Sequence, residues 1–170
     1  SIDECFIDLT KYLNPKEKVL DKAKEISYRI KNELGFTVNI GVSNNKVLAK
    51  MASDFEKPDK IHTLFKHEIR SKMWNLPVGE LFMLGRKTVP KLNNMHIKTI
   101  GDLAKFDINK LIKIFGKHGK VMWEYANGID SSEVIYKNEP PKSISNSTTL
   151  AKDIDDINKL YKEKAVKNLC

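Results

Sequence analysis

The sequence predicts an α+β fold that continues into a compact all-helical module. Two observations predict the α+β part: apolar residues recur at steps of three and four over residues 16–34, and they alternate over residues 36–43. A third observation predicts the helical module, because residues 76–128 carry short helical patterns separated by glycines and no strand pattern. A chain of 170 residues is long enough for one medium domain or two small ones.

Strands and helices are predicted to alternate in the first region. The predicted strands are residues 1–10, 36–43 and 61–65, and the predicted helices are residues 16–34, 45–55 and 67–75. Gly35 is expected to end the first helix, since glycine adopts the left-handed conformation at little cost. Ser43 or Asn44 is expected to cap the second helix, and Pro58 is expected to stop it.

Short helices alone are predicted in the second region. They cover residues 87–95, 99–106, 109–115 and 117–127. Trp74, Phe82 and Trp123 stand at apolar helical positions and are expected in the core. After this region, residues 138–142 are predicted to be a linker, residues 143–150 a strand and residues 156–169 a helix.

Composition and the chain ends narrow the class of protein. No apolar run approaches the ~18 residues that would span a membrane. The chain shows neither an initiator Met nor a signal peptide at Ser1, so it is expected to be a piece of a longer protein. Cys5 and Cys170 are the only thiols and stand at opposite ends, which predicts no disulfide framework and a reducing cytoplasm.

Charge is distributed unevenly along the chain. The net charge is +8, and residues 85–120 hold nine basic side chains against Asp102 and Asp107, a local charge of +7. A localised basic surface favours a polyanionic partner. The alternative from charge alone is a lysine-rich helical face that is simply solvated.

Two adjacent carboxylates, Asp3 and Glu4, stand near the start of the chain, with Asp8 further along. Neighbouring side chains of a regular strand point to opposite faces, so both can reach one ion only where the backbone turns. Carboxylates held in this way suit Mg²⁺, which binds a few hard oxygens together with water and substrate phosphates. The alternative is a solvated acidic pair. Lys57, after the second helix, is a candidate contact for a triphosphate, or a lysine that stabilises the helix C-terminus.

Two glycine turns lie inside the basic stretch. Gly85, Lys87 and Thr88 form a loop-to-helix junction, and Gly116, Lys117 and Gly119 repeat the pattern 31 residues later. Free N–H groups at a helix start, together with lysine and threonine side chains, can donate hydrogen bonds to a phosphate. The pair therefore predicts helix-hairpin-helix elements that hold successive DNA backbone phosphates, with ordinary interhelical turns as the alternative.

Several segments together resemble the Y-family (translesion) DNA polymerases, most closely the DNA polymerase IV branch. In chain order they are residues 1–10, residues 39–53 followed by Lys57-Pro58-Asp59, residues 76–103, residues 128–130 and residues 142–144. The first segment looks like the second catalytic motif of the family, and the next looks like a strand and helix of the catalytic palm. The remaining segments look like the thumb, the thumb exit and the first little-finger strand.

The resemblance implies a domain order. Residues 1–75 would be the C-terminal part of the palm, residues 76–138 the helix-hairpin-helix thumb, and residues 139–170 a linker and the beginning of an α+β little-finger domain. It implies that Asp3 and Glu4 are catalytic metal ligands for two Mg²⁺ ions and that Lys57 contacts the incoming nucleotide. The partners expected are primer–template DNA, deoxynucleoside triphosphates and a sliding clamp, which would bind a C-terminal region beyond this chain.

The sequence departs from the family pattern in ways that matter for function. Met83-Leu84-Gly85 stands where the family has Gly-Ile-Gly, a glycine is missing near His96, and Ser145 follows Ile144 in place of a glycine. The first palm strand with its metal-binding Asp, and the fingers domain, are not in the sequence. One of three expected carboxylates is thus missing, so this chain alone is expected not to synthesise DNA.

Three functional hypotheses remain open at the level of sequence. The first is a piece of a low-fidelity, lesion-bypass DNA polymerase that works by two-metal phosphoryl transfer. The second is a helix-hairpin-helix DNA-binding module without catalysis, and the two differ in whether Asp3 and Glu4 are needed. The third is a palm-like nucleotidyl cyclase, which gives no reason for a basic helical module.

Overall fold

In the described part of the chain, the sheet has two short parallel strands joined by a helix. In the computed structural model, which describes residues 3–12 and 18–136, β1 (Ile40–Val42) pairs with β2 (Ile61–Thr63) in the register Ile40 to Ile61. Helix α1 (Val19–Leu34) precedes β1, and helix α2 (Lys46–Ser53) connects the strands. As predicted, α1 ends at Gly35, whose φ of 78° is left-handed.

Helix α2 lies directly against β1. Its buried side chains are Val47, Leu48, Met51 and Ala52. A Cβ atom on Gly41 would lie 1.9 Å from the carbonyl oxygen of Ala49, so only glycine permits this approach of strand and helix. Ser43 or Asn44 was predicted to cap α2, but the cap is Asn45, whose side chain accepts the hydrogen bond from the backbone N–H of Leu48. The Ser43 hydroxyl instead donates to the Leu64 carbonyl.

The predicted first strand was wrong, and the predicted helix over residues 67–75 is present in part, as helical turns of other types. The described part of the predicted first strand, residues 3–10, is not a strand, because no neighbouring strand pairs with it in the described part of the chain. The predicted helix over residues 67–75 is a 3₁₀ turn (Lys66–Glu68) followed by a π turn (Ile69–Met73). In the π turn, the N–H of Trp74 bonds the carbonyl of Ile69, five residues back.

All four predicted helices of the second region are present; three are slightly shorter than predicted, and the one predicted over residues 109–115 is one residue longer. They are α3 (Val89–Asn94), α4 (Ile100–Lys105), α5 (Ile108–Phe115) and α6 (Lys117–Ala126). Thr99 and Asp102 form a capping box at the start of α4, and Asp107 caps α5 through the N–H of Asn109. These local hydrogen bonds allow such short helices to begin and end where they do.

One hydrophobic core links the two regions. Buried residues run in a single cluster from Val47 on α2 to Ala126 on α6, and Trp74, Phe82 and Trp123 pack against it, as predicted. The indole N–H of Trp74 donates to the carbonyl of Ala126 at 3.1 Å, a hydrogen bond between the regions. Because the core is shared, Ser1–Ile135 form one compact unit, and the predicted boundary at residue 75 stays a prediction.

The predicted linker, the strand over residues 143–150 and the helix over residues 156–169 lie outside the described residues. None of the helices within residues 3–12 and 18–136 has the length and apolar character needed to cross a membrane.

Candidate functional site

The N-terminal carboxylates lie at the surface beside α2. Asp3 stands in a turn, and Asp3 and Glu4 are both exposed. One oxygen of Glu4 is 2.6 Å from the ammonium of Lys50 on α2. One helical turn earlier, the ammonium of Lys46 lies 5.8 Å from the centre of the Phe6 ring. Two lysines on one face of α2 therefore hold the carboxylate segment.

A line of alternating charges connects Glu4 to Lys57. The ammonium of Lys50 is also 3.0 Å from Asp54, and the other oxygen of Asp54 is 2.8 Å from the ammonium of Lys57. The order is thus Glu4, Lys50, Asp54, Lys57, with signs that alternate. The structure brings together the two kinds of residue that the sequence predicted for a metal and for a triphosphate.

Hydrogen bonds between opposite charges keep Lys50 and Asp54, the two middle residues of this line, ionised. Burial alone lowers the pKa of Lys50, but its hydrogen bonds to Glu4 and Asp54 outweigh burial and leave the pKa above its usual value. Burial likewise raises the pKa of Asp54, while hydrogen bonds from Lys57 and Lys50 outweigh it and lower the pKa overall. Both groups are therefore ionised at neutral pH.

Asp3 and Glu4 have side chains of the chemical type that a magnesium ion binds. Among residues 3–12 and 18–136, no three carboxylate, histidine or cysteine side chains cluster closely enough to hold a metal ion. Two adjacent exposed carboxylates nevertheless match the hard oxygen donors that Mg²⁺ takes alongside water and phosphate oxygens. The donor set fits the ion in chemistry and leaves positions for other ligands.

The first glycine turn is open to solvent. Gly85 and Lys87 are exposed, and no atom lies within 4 Å of where a Cβ on Gly85 would be. The carbonyl of Gly85 accepts a hydrogen bond from the N–H of Thr88, which closes the turn just before α3. Other parts of the described protein therefore do not crowd this side of the turn.

The second glycine turn is also open, but only in part. Gly116 is exposed at a φ of 61°, which favours glycine, and Lys117 is exposed beside it. Gly119 is buried, and a Cβ there would lie 2.3 Å from the Leu111 carbonyl oxygen. Gly119 thus lets α6 pack closely on α5, a structural role separate from the DNA contact that the sequence predicts for it.

The basic side chains around these turns are largely without acidic partners. Within the described residues, eight lysine and arginine side chains of the first region form ion pairs: Lys22, Lys24, Arg29, Lys31, Lys50, Lys57, Lys60 and Lys72. Of the nine between Arg86 and Lys120, only Lys120 has such a pair among these residues, with Glu124 at 3.7 Å. Asp102 and Asp107 cap helices, and neither forms an ion pair within 4.0 Å with these lysines among the described residues.

The backbone is left-handed at Met83, where the family has a glycine, and at His96, near which another glycine is missing. Met83 has a φ of 70° and His96 a φ of 63°, conformations that side chains with a Cβ adopt at a cost. Met83 immediately precedes the first glycine turn and is 65% exposed. The departures from the family pattern therefore add backbone strain next to the candidate DNA contact.

Sequence reasoning missed the residues that connect the site. Lys50 and Asp54 stand four apart on α2, a spacing that indicates an ion pair within a helix, so this link could have been found. The contact of Lys50 with Glu4 spans 46 residues and leaves no local pattern.

Two family models match the chain. The model of the impB/mucB/samB family matches residues 1–54, and the model of the DNA polymerase-iota thumb domain matches residues 80–130. These two matches cover the carboxylate segment with α2 and both glycine turns.

Curated relatives match nearly the whole chain. DNA polymerase IV of Clostridium acetobutylicum is 58% identical over 95% of this chain and 41% of its own length. DNA polymerase IV of Acetivibrio thermocellus is 44% identical over 90% of this chain and 39% of its own length. The chain thus spans less than half of the length of these relatives.

Solved structures agree with the sequence relatives. DinB from Sulfolobus solfataricus is 28% identical, with a TM-score of 0.60 over 68% of this chain and 34% of its own. A Y-family polymerase chimera, Dbh-Dpo4(243-245)-Dbh, is 27% identical, with a TM-score of 0.63 over 71% of this chain and 36% of its own. Models, relatives and structures agree on one family: the chain belongs to the Y-family DNA polymerases, in the DNA polymerase IV branch.

Proposed function

We propose that this chain is part of a lesion-bypass DNA-directed DNA polymerase, in which it supplies two metal-binding carboxylates, a triphosphate contact and a DNA grip. One observation carries the proposal: Glu4 and Lys57, which stand 53 residues apart and suit different parts of one reaction, lie in a single line of ion pairs. A DNA-binding module without catalysis has no need of carboxylates beside its polyanion. The relatives named DNA polymerase IV support the same assignment.

Near the reacting atoms, the chain would contribute charged side chains that hold the metal ions and the triphosphate in place. Asp3 and Glu4 would hold Mg²⁺ in a cytoplasmic polymerase. Two bound ions supply activation of the attacking hydroxyl and stabilisation of the leaving phosphate oxygen. Lys57 would neutralise part of the triphosphate, held toward it by Asp54. A Dbh ternary complex with partially disordered substrates is among the similar structures, which supports DNA and nucleotide as partners.

The helical module would bind the backbone of the DNA duplex. The turns at Gly85 and Gly116 leave the backbone open to an approaching phosphate, and Lys87, Thr88 and Lys117 would add side-chain donors beside them. Such contacts position the DNA backbone and carry no sequence information. This division assigns chemistry to the carboxylate segment and affinity to the helices.

Replacement of both carboxylates tests the proposal. In a full-length polymerase that carries this chain, the double variant Asp3→Ala, Glu4→Ala should abolish primer extension and leave DNA affinity within about twofold. Retained synthesis would contradict the proposal and favour the binding module. The chain of 170 residues by itself should show no Mg²⁺-dependent primer extension, and synthesis by it would contradict the expected need for a third carboxylate.

A further inference from the structure

Lys50 occupies the centre of the charge line and touches both of its halves. Its side chain is only 16% exposed, whereas Glu4 is 49% and Lys57 is 56% exposed. The aliphatic part of the Lys50 side chain packs into the protein. Its ammonium is therefore held more firmly than the charged groups of Glu4 and Lys57. The two exposed ends of the line therefore depend on a partly buried lysine for their position.

The contacts of Lys50 differ in what they control. Its ammonium bonds Glu4 Oε1 at 2.6 Å, on the segment that carries the carboxylates. Its contact with Asp54 Oδ2 at 3.0 Å fixes a carboxylate whose other oxygen holds Lys57. Removal of the Lys50 charge would release both ends, whereas removal of the Asp54 charge would release Lys57 and leave the bond between Glu4 and Lys50.

We propose that Lys50 is a positioning residue for the metal-binding and triphosphate-binding ends of the site. It orients Glu4 directly and Lys57 through Asp54, without contacting substrate itself. This inference rests on the proposed function for its consequences in synthesis, but the anchoring of the carboxylate segment is a property of the chain alone. Groups that orient metal ligands from behind change metal affinity by about 10- to 100-fold when removed.

The anchoring can be measured on the chain without metal or substrate. Cys5 is exposed and stands next to Glu4, so a nitroxide label on Cys5, with Cys170→Ser as background, reports the mobility of this segment. Lys50→Met keeps the apolar stem and should make the label more mobile. Lys50→Arg should restore the restricted spectrum, and Asp54→Asn should leave it unchanged.

Two further variants keep this measurement decisive. Glu4→Gln removes the charge from the same contact on the exposed side, where unfolding is not a concern, and should shift the label mobility in the same direction as Lys50→Met does. Lys72→Met removes the ion pair with Glu68 on a different element and should have no effect. Equal mobility in wild type, Lys50→Met and Glu4→Gln would overturn the proposal.

The effect on synthesis separates this proposal from the proposed function. In a full-length polymerase that carries the chain, Lys50→Met should raise the Mg²⁺ concentration for half-maximal rate about tenfold or more. Asp54→Asn should raise KM for the nucleotide by up to about fivefold, the range for an exposed ion pair, with the Mg²⁺ requirement unchanged. Intact synthesis in Glu4→Gln would contradict the proposed function. Loss of synthesis in Glu4→Gln, together with an unchanged Mg²⁺ requirement in Lys50→Met, would contradict only the positioning role of Lys50.

Discussion

The carboxylate of Asp130 accepts a hydrogen bond from the backbone N–H of Val47, at 3.1 Å, and so ties the end of the helical module to the first turn of α2. Two neighbouring contacts reinforce this tie, since the Asn45 side chain donates to the Gly128 carbonyl and Lys46 to the Glu133 carbonyl. The start of α2, the helix that carries Lys50 in its last turn, is therefore fixed by the segment that follows α6.

Loss of this tie should weaken the fold. Asp130→Ala removes an acceptor from the N-terminus of α2, and we expect the free energy of unfolding to fall by about 1 kcal/mol, as for a lost helix cap. Urea denaturation measures the change. Glu133→Ala is the matched control, because only its backbone carbonyl takes part, and it should change stability by less than about 0.5 kcal/mol. Equal losses in both variants would contradict a specific role of Asp130.

Glycine at position 83 should stabilise the protein. Met83 is exposed at a left-handed φ, so Met83→Gly relieves strain and loses little buried apolar surface. The expected gain is about 1 kcal/mol, seen as a raised Tm. Lys91→Gly, inside α3, should instead cost up to about 1 kcal/mol. A loss of stability in Met83→Gly would show that the left-handed conformation carries no strain.

The glycines of the two turns should respond differently to alanine. Gly119→Ala places a Cβ against the Leu111 carbonyl, so α5 and α6 must separate, and we expect a loss of about 1–3 kcal/mol. Gly85→Ala meets open space at an ordinary φ and should change stability by less than about 0.5 kcal/mol. Thermal unfolding of the pair measures this contrast, and equal destabilisation would contradict the packing described here.

DNA binding by the chain should depend steeply on salt and not on sequence. The binding constant falls as salt rises, and each lysine that contacts a phosphate makes the slope of log K against log salt steeper by about 1. Lys87→Gln and Lys117→Gln should therefore each make the slope shallower by about 1. Lys72→Gln, whose lysine is paired with Glu68, should leave the slope unchanged. Fluorescence anisotropy at several salt concentrations gives the slopes. A flat titration of the wild type would contradict phosphate binding.

Stability should fall at acid pH through the capping box of α4. The backbone N–H of Thr99, followed by its hydroxyl contact, lowers the pKa of Asp102 from its usual 3.8. A depressed folded pKa gives stability that is present above the unfolded pKa and is lost as pH falls through the folded pKa. Between pH 5 and pH 2.5, wild type should therefore lose stability relative to Asp102→Asn, as measured by urea denaturation. Parallel curves for the two would contradict this linkage.

Sequence patterns predicted the parts of the fold that depend on local contacts. The apolar spacing of Val47, Leu48 and Met51 determined α2, and Thr99 and Asp102 are near neighbours that determine the start of α4. The predicted first strand was wrong because a strand requires a partner that is distant in sequence, and β-propensity cannot supply one. Asp3, Glu4 and Lys57 could be named from their residue types, but their connection could not, because the contact of Lys50 with Glu4 has no local pattern.

The most direct test of the account is nucleotide addition by a preformed DNA complex of a full-length polymerase that carries this chain. A single-turnover measurement separates chemistry from DNA binding, and Asp3→Asn and Glu4→Gln remove one charge each without change in side-chain length. We expect the single-turnover rate of each variant to fall by about 100-fold or more, while its DNA dissociation constant stays unchanged. Wild-type rates in both variants, or DNA affinity lost together with rate, would contradict the assignment of chemistry to the carboxylates and of grip to the helical module.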